Sequence, residues 1–182
     1  MEATGDVEGL IYALKRKNIH IWIHAREAWM RFSKKADENA VEPLIIALND
    51  KDEHIRSCAA EALGEIGSDQ AVLPLTKILG DKKTQVRLAT AWALGKIGNP
   101  QAVDSLVELL EVDEEDVCEV VSEALGKIGD LRAVDSLITA LTWGATIPLP
   151  PESWHRNPGW EVRSSSASAL GNLGDAKAVE PL

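Results

Sequence analysis

Basic charge is what this sequence is short of. Its 19 Lys and Arg stand against 29 Asp and Glu, giving a formal net charge of −10 at pH 7 and a pI near 4.9. Binding along a phosphate backbone rests on clustered Lys and Arg that displace counterions, so nucleic acid is not the expected partner. The one compact basic run, Lys15-Arg16-Lys17, is short enough to be a solvated helix end. With two cysteines in 182 residues, a disulfide framework is excluded. No apolar run approaches the roughly 20 residues that a membrane-spanning helix needs. The opening MEATGDVEGLIYALKRK is acidic and without a sustained apolar core, so it is not read as a secretory signal, and a cytoplasmic location is expected. Aromatics are scarce and skewed, with one Phe and one Tyr beside six Trp. There is no phosphate-binding loop, hydrolase elbow or dinucleotide fingerprint. Ser164-Ser165-Ser166 has no neighbouring general base in sequence. No catalytic residue, resident metal or cofactor is expected.

Repetition is what the sequence has in abundance. It reads ALGEIG from Ala62, ALGKIG from Ala93 and Ala124, and ALGNLG from Ala169. A second phrase keeps step: AVEPL from Ala40, AVLPL from Ala71, AVDSL from Ala102 and Ala133, AVEPL from Ala178. The first intervals of both phrases are 31 residues, 62 to 93 to 124 and 40 to 71 to 102. A fixed period of that size marks stacked repeats.

Each unit carries two helical patterns. In the unit 68–98 a first helix places Val72, Leu75, Ile78 and Leu79 at helical spacing, a polar turn follows, and a second helix runs from Gln85 to about Ile97. Asp37, Ser68, Asn99, Asp130 and Asp175 are expected N-caps, with Pro100 at a first helical position. Gly67, Gly98, Gly129 and Gly174 are expected C-caps. Ile55, Ala59, Ala62, Leu63 and Ile66 share one face of a second helix, and small residues at Ala60, Ala91, Ser122 and Ala167 would let helices approach. A lone helix pair cannot cover both its sides, so pairs must stack. The expected fold is an all-α, right-handed solenoid of antiparallel helix pairs.

The expected division is a divergent unit at 1–36, regular units at 37–67, 68–98 and 99–129, a unit at 130–174 carrying an insertion, and the start of a sixth unit at 175–182. In the divergent unit Trp22, Trp29 and Phe32 are bulky replacements, and it is read as a cap. From Ala133 to Ala178 the interval is 45, so the insertion is 14 residues beyond the period. It is rich in proline and carries Trp143, Trp154 and Trp160, which makes it a long loop. The chain stops inside the sixth unit's first helix, so a longer parent is expected. Cys58 and Cys118 lie 60 positions apart, nearly two units, too far for a disulfide between stacked helices, and are expected as free thiols.

The AVxPL phrase, the Val-Arg pair (Val86-Arg87, Val162-Arg163, with Ile55-Arg56) and ALGxIG together resemble the short HEAT-like repeat of the phycobilisome-lyase type. The resemblance covers residues 37–182 well and 6–36 weakly. It implies the solenoid fold. It leaves function open, because families of this kind include scaffolds, chromophore lyases and the di-iron deoxyhypusine hydroxylase. That hydroxylase uses adjacent His-Glu pairs, and no His-Glu dipeptide occurs here.

Two constellations stand out. Arg56 and Arg87 each follow an aspartate by six positions, Asp50 and Asp81, and in the fourth unit both are lost together, to Val112 and Cys118. A carboxylate–guanidinium pair across the turn inside each unit is therefore expected. The second constellation is a variable face on the second helices: His20, His24, Glu27 and Arg31; His54, Cys58, Glu61 and Glu65; Gln85, Ala89, Trp92 and Lys96; Asp116, Val120, Glu123 and Lys127. Spacings of 4, 3 and 4 keep each set on one face, and stacking lays the sets side by side. A groove for a basic, partly apolar protein segment is expected, with His24, Glu27, Glu61, Trp92, Glu123 and the loop tryptophans Trp143, Trp154 and Trp160 as contact residues. Alternatives are an accessory or lyase-like protein holding a pigment or cofactor near the insertion, and a metal-dependent oxygenase built on the corner of His20, His24, Glu27, His54, Cys58 and Glu61. Self-association through the C-terminal end is a further expectation.

Overall fold

The computed structural model describes residues 9, 40–112, 114–142 and 159–174. Eight α-helices follow one another in them, with no strand among the described residues: α1 (Val41–Ala47), α2 (Glu53–Ile66), α3 (Val72–Ile78), α4 (Thr84–Ile97), α5 (Val103–Val112), α6 (Glu115–Ile128), α7 (Val134–Ala140) and α8 (Trp160–Leu173). The short and long helices alternate. Each short helix packs on the long helix that follows it, and the long helices α2, α4, α6 and α8 pack on one another in sequence. The result is an all-α solenoid with the long helices as its continuous row. Residue 9 apart, the unit at 1–36 lies outside the described residues, as do the expected caps Asp37 and Asp175 and most of the insertion.

Each short helix after the first is entered through a 3-10 turn, Asp69–Ala71, Pro100–Ala102 or Leu131–Ala133. Asn99 and Asp130 accept from the amides of Gln101 and Arg132, both at 2.9 Å. They therefore cap the 3-10 turn, not the α-helix expected from sequence, and Ser68 in the same place makes no side-chain cap bond. The exits follow expectation: Gly67, Gly98, Gly129 and Gly174 all have φ between 62 and 77°, a region where a Cβ is costly.

Leu44, Leu63, Leu75, Leu94, Leu106, Leu125 and Leu137 are wholly buried between the rows, each worth about 1.5–3 kcal/mol. The long helices meet through a contact not anticipated from sequence. The first glycine of the phrases beginning at Ala62, Ala93 and Ala124 sits in the last turn of its long helix, against the alanine that opens the next phrase. A Cβ built on Gly64, Gly95 or Gly126 would lie 2.7 Å from the Cα of Ala93, Ala124 or Ala169 respectively. That is closer than side chains can approach backbone, so glycine sets the helix spacing at each joint. Beside it Ala60, Ala91 and Ser122 are fully buried, and Ser122 Oγ lies 3.0 Å from Ser166 Oγ.

The Asp–Arg pair needs correction. Arg56 does not bridge its own turn to the Asp50 carboxylate. Its Nη1 donates to the backbone carbonyls of Asp50 and Lys51, at 2.8 and 3.2 Å. Its Nε and Nη2 donate to both carboxylate oxygens of Asp81 in the next helix pair, at 2.8 and 3.0 Å. The guanidinium thus clasps one pair to the next, with side chains only 9% and 12% exposed. Burial pushes the Asp81 carboxyl up, but the bonds from Arg56 and the Lys83 amide, with the Arg56 and Lys82 charges, outweigh it and hold it below its ordinary value. One joint on, Val112 replaces the aspartate. Arg87 keeps its bond to the Asp81 carbonyl at 3.0 Å and approaches Glu114 Oε2 at 3.7 Å. At the third joint Cys118 has replaced the arginine and donates to the Leu110 carbonyl.

Candidate interaction face on the long helices

The face anticipated from sequence is accessible only in part. His54, Gln85 and Asp116 at its first position are exposed, as are Lys96, Glu123 and Lys127 further along. The second position sinks inward: Cys58 and Ala89 are buried and Val120 is half-buried. Glu61 and Trp92 are half-buried. His24 and Glu27 lie outside the described residues, as do Trp143 and Trp154.

Trp92 has a packing duty as well as an open side. Its Cζ3 covers Gly64 of the preceding long helix, 3.0 Å from where a Cβ would stand there. Lys96 Nζ lies over the ring at 5.5 Å from its centroid and 3.7 Å from Glu65 Oε1. The aromatic ring, the ammonium and the carboxylate thus form a short polar row at the α2–α4 joint, with cation–π attraction across it. Packing therefore makes a demand of its own at this position, since the ring fills the space that Gly64 leaves.

Negative charge gathers at the next joint but one. Glu115, Glu119 and Glu123 recur every fourth residue along α6, so they lie in a row on one face. Asp116 flanks them and Glu161 adds a carboxylate from α8. Burial first, and then the charges of Glu161, Glu123, Asp116 and Glu115, raise the Glu119 carboxyl above its ordinary value. Glu123 also holds Lys127 at 3.3 Å. Glu115 accepts a hydrogen bond from the Gly159 amide, which fastens the end of the insertion to α6. Gly159 itself is buried, with φ at 74°, and opens α8, which has no side-chain cap of its own. Trp160, next in line, is 54% exposed. Glu115, Glu119 and Glu161 were not among the residues singled out from sequence, although the four-residue recurrence on α6 was there to be read.

Among the described residues no group of three or more His, Cys, Asp and Glu is placed to hold a metal ion. Cys58 and Cys118 are both buried and are not joined to each other by a disulfide. No described helix is long and apolar enough to cross a membrane.

Comparison with known proteins gives relatives by fold. The structure is similar to that of the complex of CpcE and CpcF of phycocyanin lyase from Nostoc sp. PCC7120, at 24% identity and a TM-score of 0.70, covering 96% of this chain and 68% of that one. It is similar to a designed armadillo repeat protein in complex with the peptide (KR)4, at 19% identity and a TM-score of 0.62, covering 98% and 85%. It also resembles Kap95p, solved with RanGDP, at 18% identity and a TM-score of 0.66, covering 98% of this chain and 25% of that one. A search of curated proteins returns no match. The family model for HEAT repeats matches residues 7–85, 41–120 and 72–144, and that for the PBS lyase HEAT-like repeat matches 162–182. Period, helix pairs and family models agree, and the chain belongs to the HEAT-repeat family.

Proposed function

We propose that this protein is a scaffold whose long-helix face binds a basic, partly apolar segment of a protein partner. The observation that carries the reading is the carboxylate row Glu115, Glu119 and Glu123 with Glu161 beside it, in which Glu119 is half-buried and held above its ordinary pKa. Like charges at four-residue spacing destabilise a helix, and a Lys or Arg laid across them relieves that repulsion. Trp92, Glu61 and Lys96 continue the face toward α2, where the open side of the ring accepts an apolar or cationic side chain. The designed armadillo protein of similar fold was solved with a Lys-Arg peptide, which supports the same choice of ligand. A second reading, an accessory protein holding a pigment near the insertion, draws on the PBS lyase HEAT-like match at 162–182; visible absorbance on mixing with a bilin tests it.

Titration calorimetry with an alternating Lys-Arg peptide and its Glu counterpart tests the first reading. The basic peptide should bind, with an affinity that falls as salt rises. The acidic one should not. Glu119→Lys together with Glu123→Lys should weaken binding by about tenfold or more, a loss of about 1.4 kcal/mol, while Glu42→Lys at an exposed position of α1 should leave it unchanged. Equal binding of both peptides, or equal loss in both variants, would remove the face from the account.

A further inference from the structure

We propose that Lys96 sets the specificity of the long-helix face. Its ammonium, held over Trp92, keeps that position for an apolar side chain of the partner and sends the partner's cation to Glu119. The inference rests on the reading above and narrows it. Lys96 Nζ stands 5.5 Å from the Trp92 ring centroid, within the distance at which an aromatic face attracts a cation. Glu65 of α2 draws the same ammonium at 3.7 Å, and the Cζ3 edge of the ring covers Gly64. The ring's attraction for a cation is thus engaged inside the molecule. A Lys or Arg from the partner has two ways to reach it. It can displace the ammonium, which breaks the attraction to Glu65 as well as to the ring, or it can settle beside a like charge. An apolar side chain meets neither cost.

The neighbouring helices show that the device is particular to α4. The places of Trp92 and Lys96 hold Glu61 and Glu65 on α2, and Glu123 and Lys127 on α6. On α6 the lysine pairs with the carboxylate one turn before it, at 3.3 Å. On α4 it finds a ring there instead. Beside that ring, Leu88 on α4 and Val120 on α6 are half-buried apolar side chains packed on the core, a suitable bed for a Leu or Met. Glu119 is the natural seat for the cation, because the charges that act on it, from Glu161, Glu123, Asp116 and Glu115, are all carboxylates. Neighbouring helix axes lie about 8–10 Å apart, and Glu119 stands one turn, about 6 Å, before the level of Trp92. The two seats are therefore about 10–12 Å apart, which an extended segment spans in about three residues. The partner's pattern is an apolar residue with a Lys or Arg three positions away.

Titration calorimetry of the intact chain with two peptides tests the idea. One is Gly-Ser-Leu-Gly-Ser-Arg-Gly-Arg, and the other has Arg in place of its Leu. The wild type should bind the Leu peptide about fivefold or more tightly than the Arg peptide. Lys96→Met, which keeps the apolar stem and removes the ammonium, should abolish or reverse that preference. Lys77→Met removes the same charge from an exposed position of α3 and should leave the preference as it is in the wild type. Equal or tighter binding of the Arg peptide by the wild type would overturn the role of Lys96 while leaving the acidic face in place. A preference that survives Lys96→Met, or that Lys77→Met removes to the same extent, would overturn it too. Failure of both peptides to bind would overturn the face itself, and this inference with it.

Discussion

Arg56 offers the sharpest test of how the helix pairs are joined. Sequence spacing ties it to Asp50, six residues before it, whereas the structure ties it to Asp81 in the next pair. Two bonds of 2.8 and 3.0 Å reach the Asp81 carboxylate, and two more reach backbone carbonyls. Arg56 is 7% exposed, so solvent does little to replace what is removed. Breaking a largely buried ion pair from one side costs about 3–5 kcal/mol. The slight exposure of Asp81, and its remaining bond from the Lys83 amide at 2.9 Å, place Arg56→Ala near the lower end, about 3 kcal/mol. In a chain of this size that corresponds to about 6–12 °C in melting temperature. A double-mutant cycle by urea unfolding then separates the two partners. Arg56→Ala with Asp81→Asn should show a coupling of about 1.5–3 kcal/mol. The cycle with Asp50→Asn should fall below about 0.5 kcal/mol, since Asp50 serves Arg56 through its carbonyl. Equal coupling to both aspartates would refute the inter-pair clasp.

Other outcomes follow from the same contacts. Gly95→Ala should destabilise by about 1–3 kcal/mol in urea unfolding, because its Cβ meets the Ala124 backbone, whereas Gly171→Ala should raise stability of the dilute protein by about 0.5–1 kcal/mol. Glu119, with its folded pKa raised, is a group whose protonated form the folded state favours. Stability should therefore fall as pH rises through that folded pKa, and Glu119→Gln should remove this slope and raise the melting temperature at pH 7 by about 1–2 °C. Asp81 has the opposite sign: its folded pKa is depressed, so its contribution is present above the ordinary value of 3.8 and is lost as pH falls below it, which Asp81→Asn should flatten in an acid-unfolding curve.

The solenoid was legible in the sequence because its joints are written in a fixed 31-residue phrase. The glycines at helix ends could be read, since the residues around Gly67 and Gly98 state locally where the helix stops. Gly64 and Gly95 could not. Their reason is an alanine about 29 residues ahead, and only the stacking offset brings the two together. The Arg56 partner was missed for the same cause: Asp50 and Asp81 occupy equivalent places in successive units, and sequence distance favours the wrong one. The candidate face was half legible. Helical spacing gathered Glu61, Trp92 and Glu123, but it gave no measure of depth, so buried Cys58 and Ala89 were counted among surface residues. Nor did it give Trp92 its second role over Gly64. Trp92→Ala should accordingly cost about 1–2 kcal/mol of stability as well as binding.

The central claim is that a basic segment lies along the long-helix row. Paramagnetic relaxation from a spin-labelled Lys-Arg peptide measures this directly, amide by amide. The account predicts strong broadening at Glu61, Trp92, Glu119 and Glu123, with sparing of the equally acidic short-helix residues Glu42, Asp104 and Asp135. Broadening centred on those short-helix residues, or spread evenly over both rows, would contradict it.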